Sequence, residues 1–196
     1  MTDTRADIDG GDGSGGIIAG LTPTGFTNIA EGAAWGWRVV SDGLPFTEST
    51  GPGDTGPGGT DEGDWQRAVV IMTDGEMDFS DRSTHWGSRP SSFGYEIESR
   101  MGDGIDEADG SGGTNGNMED EAEGKLLRIC RRMKQDGILV YSIVFDVSAG
   151  SNVDTMMKAC ATEPNQPYYY NAPDGSDLED AFSNIAADLI DLHISQ

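Results

Sequence analysis

Apolar residues fall into two patterns along the chain. At 69–72 (Val-Val-Ile-Met) and 138–145 (Ile-Leu-Val-Tyr-Ser-Ile-Val-Phe) they form short, nearly unbroken runs bounded by turn or charged residues. Such runs predict strands at about 67–73 and 138–145, buried on both faces, as in parallel sheets covered by helices. Tyr168-Tyr169-Tyr170 predicts a third, shorter strand ending at Asn171. Elsewhere apolar residues recur every three or four positions. Ile29, Ala33, Trp37 and Val40 make one face of a helix that Asn28 caps, with Glu31 in capping-box position. Ala122, Leu126, Ile129, Cys130 and Met133 stripe a helix over about 118–135. Its last turns carry Lys125, Arg128, Arg131, Arg132 and Lys134, suited to the negative end of the helix dipole, and Gly137 stops it. Val153, Met156, Met157 and Cys160 predict a short helix at about 153–161. Ser176-Asp177-Leu178-Glu179 reads as a capping box that opens a final helix with Leu178, Phe182, Ile185, Ala186 and Leu189 inward.

Helices and strands therefore alternate, and right-handed crossovers lay the three strands side by side in one parallel α/β sheet. The strand at 67–73 is apolar on both sides and calls for a neighbour on each edge. The strand at 138–145 supplies one; Ile17-Ile18-Ala19 is too short to supply the other. Since natural sheets rarely leave an apolar edge bare, the expectation is an incomplete sheet, the C-terminal part of a larger domain lacking its N-terminal strands. Gly32 and Gly36, four apart, make a flat strip where the first helix can approach the sheet closely. In open α/β sheets ligands bind past the carboxyl ends of the strands. Asp74 follows the first strand there, and Gly75 lets the chain turn behind it.

Between these elements lie loops. Residues 1–16 are acidic, rich in Gly and without periodicity, as in disordered segments; residues 17–196 form the domain. Two loop insertions interrupt it, at 42–64, with Leu44 and Phe46 pinning its start, and at 75–117, with Phe79, Trp86, Phe93 and Tyr95 available for packing. Asp7, Asp9 and Asp12 imitate a calcium loop, but Gly11 and Asp12 stand in the wrong register for an EF-hand. Ser14 imitates a nucleophile elbow, but Asp12 stands where that motif needs Gly. His85 and His193 have no partner cluster for a zinc site or a triad.

Charge narrows the function classes. Against 12 Lys+Arg stand 35 Asp+Glu, a formal charge of −23. This argues against nucleic acid and anionic membrane surfaces as partners, and suits a cation, a basic protein or simply a solvated acidic surface. No apolar run approaches the roughly 20 residues that span a bilayer. The N-terminus lacks the basic-then-apolar pattern of a signal peptide, so neither leader nor anchor is expected in this chain.

Several segments in order carry a family resemblance: Gly25-Phe26-Thr27-Asn28-Ile29, Trp35-Gly36-Trp37-Arg38, Pro45-Phe46-Thr47-Glu48, Thr73-Asp74-Gly75-Glu76, Ser91-Ser92-Phe93-Gly94-Tyr95, the 126–145 helix and strand, Cys160-Ala161, and 177–186 with 192–196. Together they resemble the C-terminal half of the von Willebrand factor A-type domain of TadE/TadG-like proteins, which serve tight-adherence (Flp) pilus assembly in the bacterial envelope. The resemblance implies a Rossmann-like sheet and a non-enzymatic module for adhesion or protein–protein contact, periplasmic or at the cell surface. Its partner would be another envelope protein or the missing half of the domain. It also implies a metal-ion-dependent adhesion site built from an Asp-x-Ser-x-Ser loop, a Thr and a further Asp. Thr27 and Asp74 match the last two. The Asp-x-Ser-x-Ser loop is absent, since Asp12-Gly13-Ser14-Gly15-Gly16 lacks the second Ser and a preceding strand. The site is thus degenerate, with Mg²⁺ or another divalent cation expected to bind weakly or not at all.

Cys130 and Cys160 lie on the inner stripes of two helices that right-handed crossovers place on the same sheet face. They read as a disulfide, which an envelope location would permit, or as two buried thiols; the disulfide is the favoured reading. An alternative function is a metal-dependent hydrolase or phosphotransferase using Asp74 and Glu76. It would need further acids and a cationic clamp, for which the neighbouring loops offer only Arg82, Arg89 and Arg100. A third possibility, calcium-dependent ordering of the acidic Gly-rich loops, is permitted by composition but specified by no spacing.

Overall fold

In the computed structural model the described residues are 20, 22, 25–41, 46, 66–79, 88–95, 98 and 118–194, the last four as backbone. Outside them lie the 1–16 segment with Asp7, Asp9, Asp12 and Ser14, residues 17–19, and most of the 42–64 and 75–117 insertions, including Arg82, His85 and Arg100.

The elements run α1 (Ile29–Val40), β1 (Ala68–Thr73), β2 (Pro90–Ser91), β3 (Gly94–Tyr95), α2 (Met118–Gln135), β4 (Leu139–Phe145), α3 (Asn152–Cys160), β5 (Tyr169–Ala172) and α4 (Gly175–Ile194). β1, β4 and β5 form one parallel sheet in that order, with Ala68 opposite Leu139 and Ser142 opposite Tyr169. The strand residues are largely β-branched or aromatic, and central β4 is buried on both sides. Val140 and Val144 pack with Leu126 and Met133 of α2 and Met157 of α3. Tyr141 and Ile143 point the other way, to Ala181 and Ile185 of α4. The sheet thus carries α1, α2 and α3 on one face and α4 on the other, a mixed α/β architecture compatible with a Rossmann-like arrangement.

Polar groups tie the layers together. Tyr141 Oη donates to Asp188 Oδ2 of α4 at 2.6 Å, and buried Ser142 Oγ donates to Met157 O at 2.7 Å. Lys134 Nζ donates to Ala159 O and Ala161 O at 2.9 and 2.8 Å, closing the carbonyl end of α3. Cys130 and Cys160, both fully buried, form a disulfide between α2 and α3 with Cα atoms 5.1 Å apart.

Four local expectations are corrected. β1 is buried on one face only: Val69, Ile71 and Thr73 point into the helical layer, while Val70 and Met72 remain 40% and 49% exposed. The reason is placement, since α4 packs on β5 and β4 rather than across β1. The inward stripe of α4 is turned by one residue: Ala181 and Ile185 are buried, with Leu178 and Leu189 beside them, whereas Phe182 and Ala186 face out. Asp174, not Ser176, caps α4, its Oδ1 accepting from Ser176 N, Ser176 Oγ and Asp177 N. Finally, the 75–117 insertion contains a short antiparallel hairpin, β2–β3, held by Ser91 Oγ donating to Gly94 O. The hairpin is pinned to α2 by an ion pair between buried Arg89 and Glu119 at 2.5 Å.

The glycine strip of α1 divides in two. A Cβ on Gly36 would meet Val69 Cγ1 at 3.2 Å, so α1 and β1 are as close there as the missing side chain allows. A Cβ on Gly32 would meet nothing within 4 Å. Gly32 therefore opens onto space rather than packing on the sheet.

Candidate functional site

That space is a groove of about 420 Å³ between α1 and β1. The α1 side presents the i, i+3, i+4, i+7 stripe of Ile29, Gly32, Ala33 and Gly36; the strand side runs from Val69 to Asp74. Thr27 and Asp74 both line it. The structure therefore brings the two proposed metal-site residues to one groove at the C-terminal end of β1.

Local chemistry fixes this end. Asn28 Oδ1 accepts from Glu31 N at 3.1 Å, starting α1 immediately after Thr27. Asp78 N donates to Thr27 O at 3.0 Å, tying the loop after β1 to the segment before α1. Thr73, buried, turns its hydroxyl back to donate to Gly75 O at 2.8 Å and accept from Gly75 N at 3.3 Å. Asp74 and Glu76 are left exposed on either side of Gly75.

The edge of β1 facing the groove has no strand beside it among the described residues. Arg67 O accepts from Leu139 N, so the odd residues Val69, Ile71 and Thr73 turn their backbone groups toward β4. Ala68, Val70 and Met72 then direct their N–H and C=O groups outward. Unpaired edge groups of this kind template a further strand.

Among the described residues, no three His, Cys, Asp or Glu side chains group closely enough to hold a metal. Arg89, one of the cations considered for a phosphate clamp, is engaged by Glu119.

The most constrained acid among the described residues is one that sequence reasoning passed over. Asp154, 1% exposed near the start of α3, accepts from Gly150 N at 2.8 Å and Lys158 Nζ at 2.7 Å through Oδ2. Its Oδ1 accepts from Tyr169 Oη and from Asn171 Nδ2, the latter at 3.2 Å. Burial pushes its carboxyl upward, but the hydrogen bonds from Lys158, Tyr169, Gly150 and Asn171 outweigh that and hold it well below the usual carboxylate range. Burial, then the bond to Asp154, pushes the Tyr169 phenol well above its ordinary value. With four donors on its two oxygens, Asp154 braces β5 and the turn after β4 against α3. The signal was legible: Ser151-Asn152-Val153-Asp154 is a capping-box spacing, and Lys158 follows Asp154 by four.

Comparison with protein-family models, curated proteins and solved structures returns no match for this chain.

Proposed function

We propose that this chain is a non-enzymatic binding and assembly module, and that its contact surface is the outer edge of β1. The observation that carries the reading is the edge itself. It has outward N–H and C=O groups at Ala68, Val70 and Met72, an adjoining groove under Gly32, and an outer face on which Val70 and Met72 stay exposed. A partner strand lying parallel to β1 would pair the edge and close the groove, and a layer behind it would cover the outer face.

This reading accords with the resemblance to the von Willebrand factor A-type domain of Tad-type pilus-assembly proteins, and with a place in the bacterial envelope. The Cys130–Cys160 disulfide supports an oxidising compartment. A strand docked in parallel would end beside Thr27 and Asp74, where the resemblance expects the Asp-x-Ser-x-Ser loop. Metal binding would then be a property of the assembled pair and weak in this chain alone.

Two measurements test the proposal. In amide hydrogen exchange on the isolated chain, Val70 and Met72 should exchange much faster than Val69 and Ile71. Equal protection would mean that the edge is already occupied, and would end the proposal. A photo-crosslinking residue placed at Gly32 or Met72 should capture one envelope partner in cells, while one at Asp177 on α4 should not. Identical capture from all three positions, or none, would count against it. The hydrolase alternative predicts Mg²⁺-dependent phosphatase activity abolished in Asp74→Ala.

A further inference from the structure

We propose that a second cavity, on the opposite flank of α1 from the β1 groove, is a binding site for a small organic anion with a planar apolar body, such as an aryl carboxylate or sulfonate. This cavity, about 480 Å³, lies between α1, α2 and the turn of the β2–β3 hairpin. Its volume falls within the range of small-molecule pockets, about 300–1,000 Å³. On α1 it uses positions 34, 37, 38 and 41, a stripe distinct from 29, 32, 33 and 36. The two sites therefore do not share a wall.

The lining combines two kinds of group. Trp37, Phe93 and Ile129 supply aromatic and aliphatic walls suited to a flat ring. Arg38, Lys125 and Arg128 supply positive charge, three of only 12 cationic side chains in a chain of formal charge −23. Glu31 lies 3.9 Å from Arg38, Glu121 acts on Lys125 from one turn away, and Arg128 has contacts of its own. Lys125 Nζ stands 4.7 Å from the Phe93 ring centroid. Its pKa is lowered, first by burial and then by the neighbouring charge of Arg128. An incoming anion would oppose this shift by pairing with the ammonium. An anionic group paired with these cations sets its ring against the apolar wall of Trp37, Phe93 and Ile129.

The test uses the whole chain and two matched probes. These are 1-anilinonaphthalene-8-sulfonate, which has the proposed chemistry, and N-phenyl-1-naphthylamine, which has the rings without the charge. Fluorescence titration and calorimetry should give saturable one-to-one binding of the sulfonate. The Arg38→Gln/Lys125→Gln double variant should weaken it about tenfold or more, as expected on losing charge-assisted contacts. Gly32→Leu, in the other groove, should leave it unchanged. Near-UV circular dichroism confirms packing in each variant, since loosely packed states bind the same dye. If the double variant fails to pack, Lys125→Gln alone, at a partly exposed position, carries the comparison. Absence of saturable binding, equal binding of the neutral probe, or unchanged affinity in the packed variant would overturn the proposal.

Discussion

Replacing Asp154 with Ala should be among the most damaging single substitutions on the surface-facing ends of this sheet. The carboxylate is 1% exposed and accepts four hydrogen bonds. Its loss strands the donors unequally. Lys158 keeps 40% of its side chain in water and can be resolvated, as can Gly150 N in its exposed turn. Tyr169, 6% exposed, and Asn171 cannot turn to water so easily. At about 1–3 kcal/mol for each stranded buried donor, the cost is roughly 3–4 kcal/mol at pH 7. For a chain of this size that lowers Tm by about 10 °C. The sign with pH follows from the depressed carboxyl. A group whose folded pKa lies below its unfolded value of about 3.9 contributes stability that is complete above the unfolded pKa and lost as pH falls toward the folded one. The gap between wild type and Asp154→Ala, measured by urea denaturation with the disulfide intact, should therefore be full at pH 7 and shrink below about pH 4. Adding Tyr169→Phe should return roughly 1–2 kcal/mol, because the stranded hydroxyl is gone. A cost below about 1 kcal/mol at pH 7, or a gap equally wide at pH 7 and pH 3, would refute the brace argument.

Three further outcomes follow from local geometry. Gly32→Ala, entering open space on α1, should stabilise the chain by about 1 kcal/mol from helix propensity, whereas Gly36→Ala should gain little or lose because its Cβ meets Val69 Cγ1 at 3.2 Å; paired thermal melts check this. The Cys130–Cys160 bridge closes a separation of 30 residues, so reduction, or replacement of both by Ala, should cost about 3.5 kcal/mol in a chain-entropy picture. Thiol titration of the denatured, unreduced chain should find no free thiol. Calorimetric titration of Mg²⁺ should show binding no tighter than about 1 mM, removed in Asp74→Ala; tight binding that survives the substitution would place the metal elsewhere.

The sequence was most informative where two signals coincided. Helix α2 was legible because an apolar stripe and a terminal run of cations agree with the stop at Gly137, and its bounds fall where expected. The order and parallel pairing of β1, β4 and β5 followed from alternation with helices. What escaped depended on which faces other elements cover. Periodicity alone could not tell that α4 stops short of β1, so Val70 and Met72 read as buried. Nor could it choose between Asp174 and Ser176 as cap, since both residue types suit the position and only the fold decides where the first turn begins. The hairpin β2–β3 is two residues per strand, too short to show an alternating pattern. Thr27 and Asp74 were placed by resemblance, and the fold brings them to one groove; the cap spacing of Asp154 was legible but its burial was not, because an acid in a capping position looks like a surface residue.

The exposed face of β1 also constrains what can dock there. A strand laid along Ala68, Val70 and Met72 would form about five backbone hydrogen bonds, each contributing a net 0.5–1.5 kcal/mol. Finishing the burial of Val70 and Met72, each about half exposed now, would add roughly 1 kcal/mol apiece. The sum, roughly 4.5–9.5 kcal/mol, only matches the 4–15 kcal/mol that association costs in lost freedom. A lone extended peptide should therefore bind hardly at all. Stable pairing needs either a tether, which raises the effective concentration, or a partner that brings more surface. The molecule shows where that surface would go. Beyond the backbone edge, Phe26 is 59% exposed beside Thr27, and Val70 and Met72 form an uncovered apolar face on the side of the sheet that α4 leaves open. A strand followed by a helix would fill the edge with the first and cover that face with the second. The element that best fits this site is thus a folded strand–helix layer rather than a linear motif.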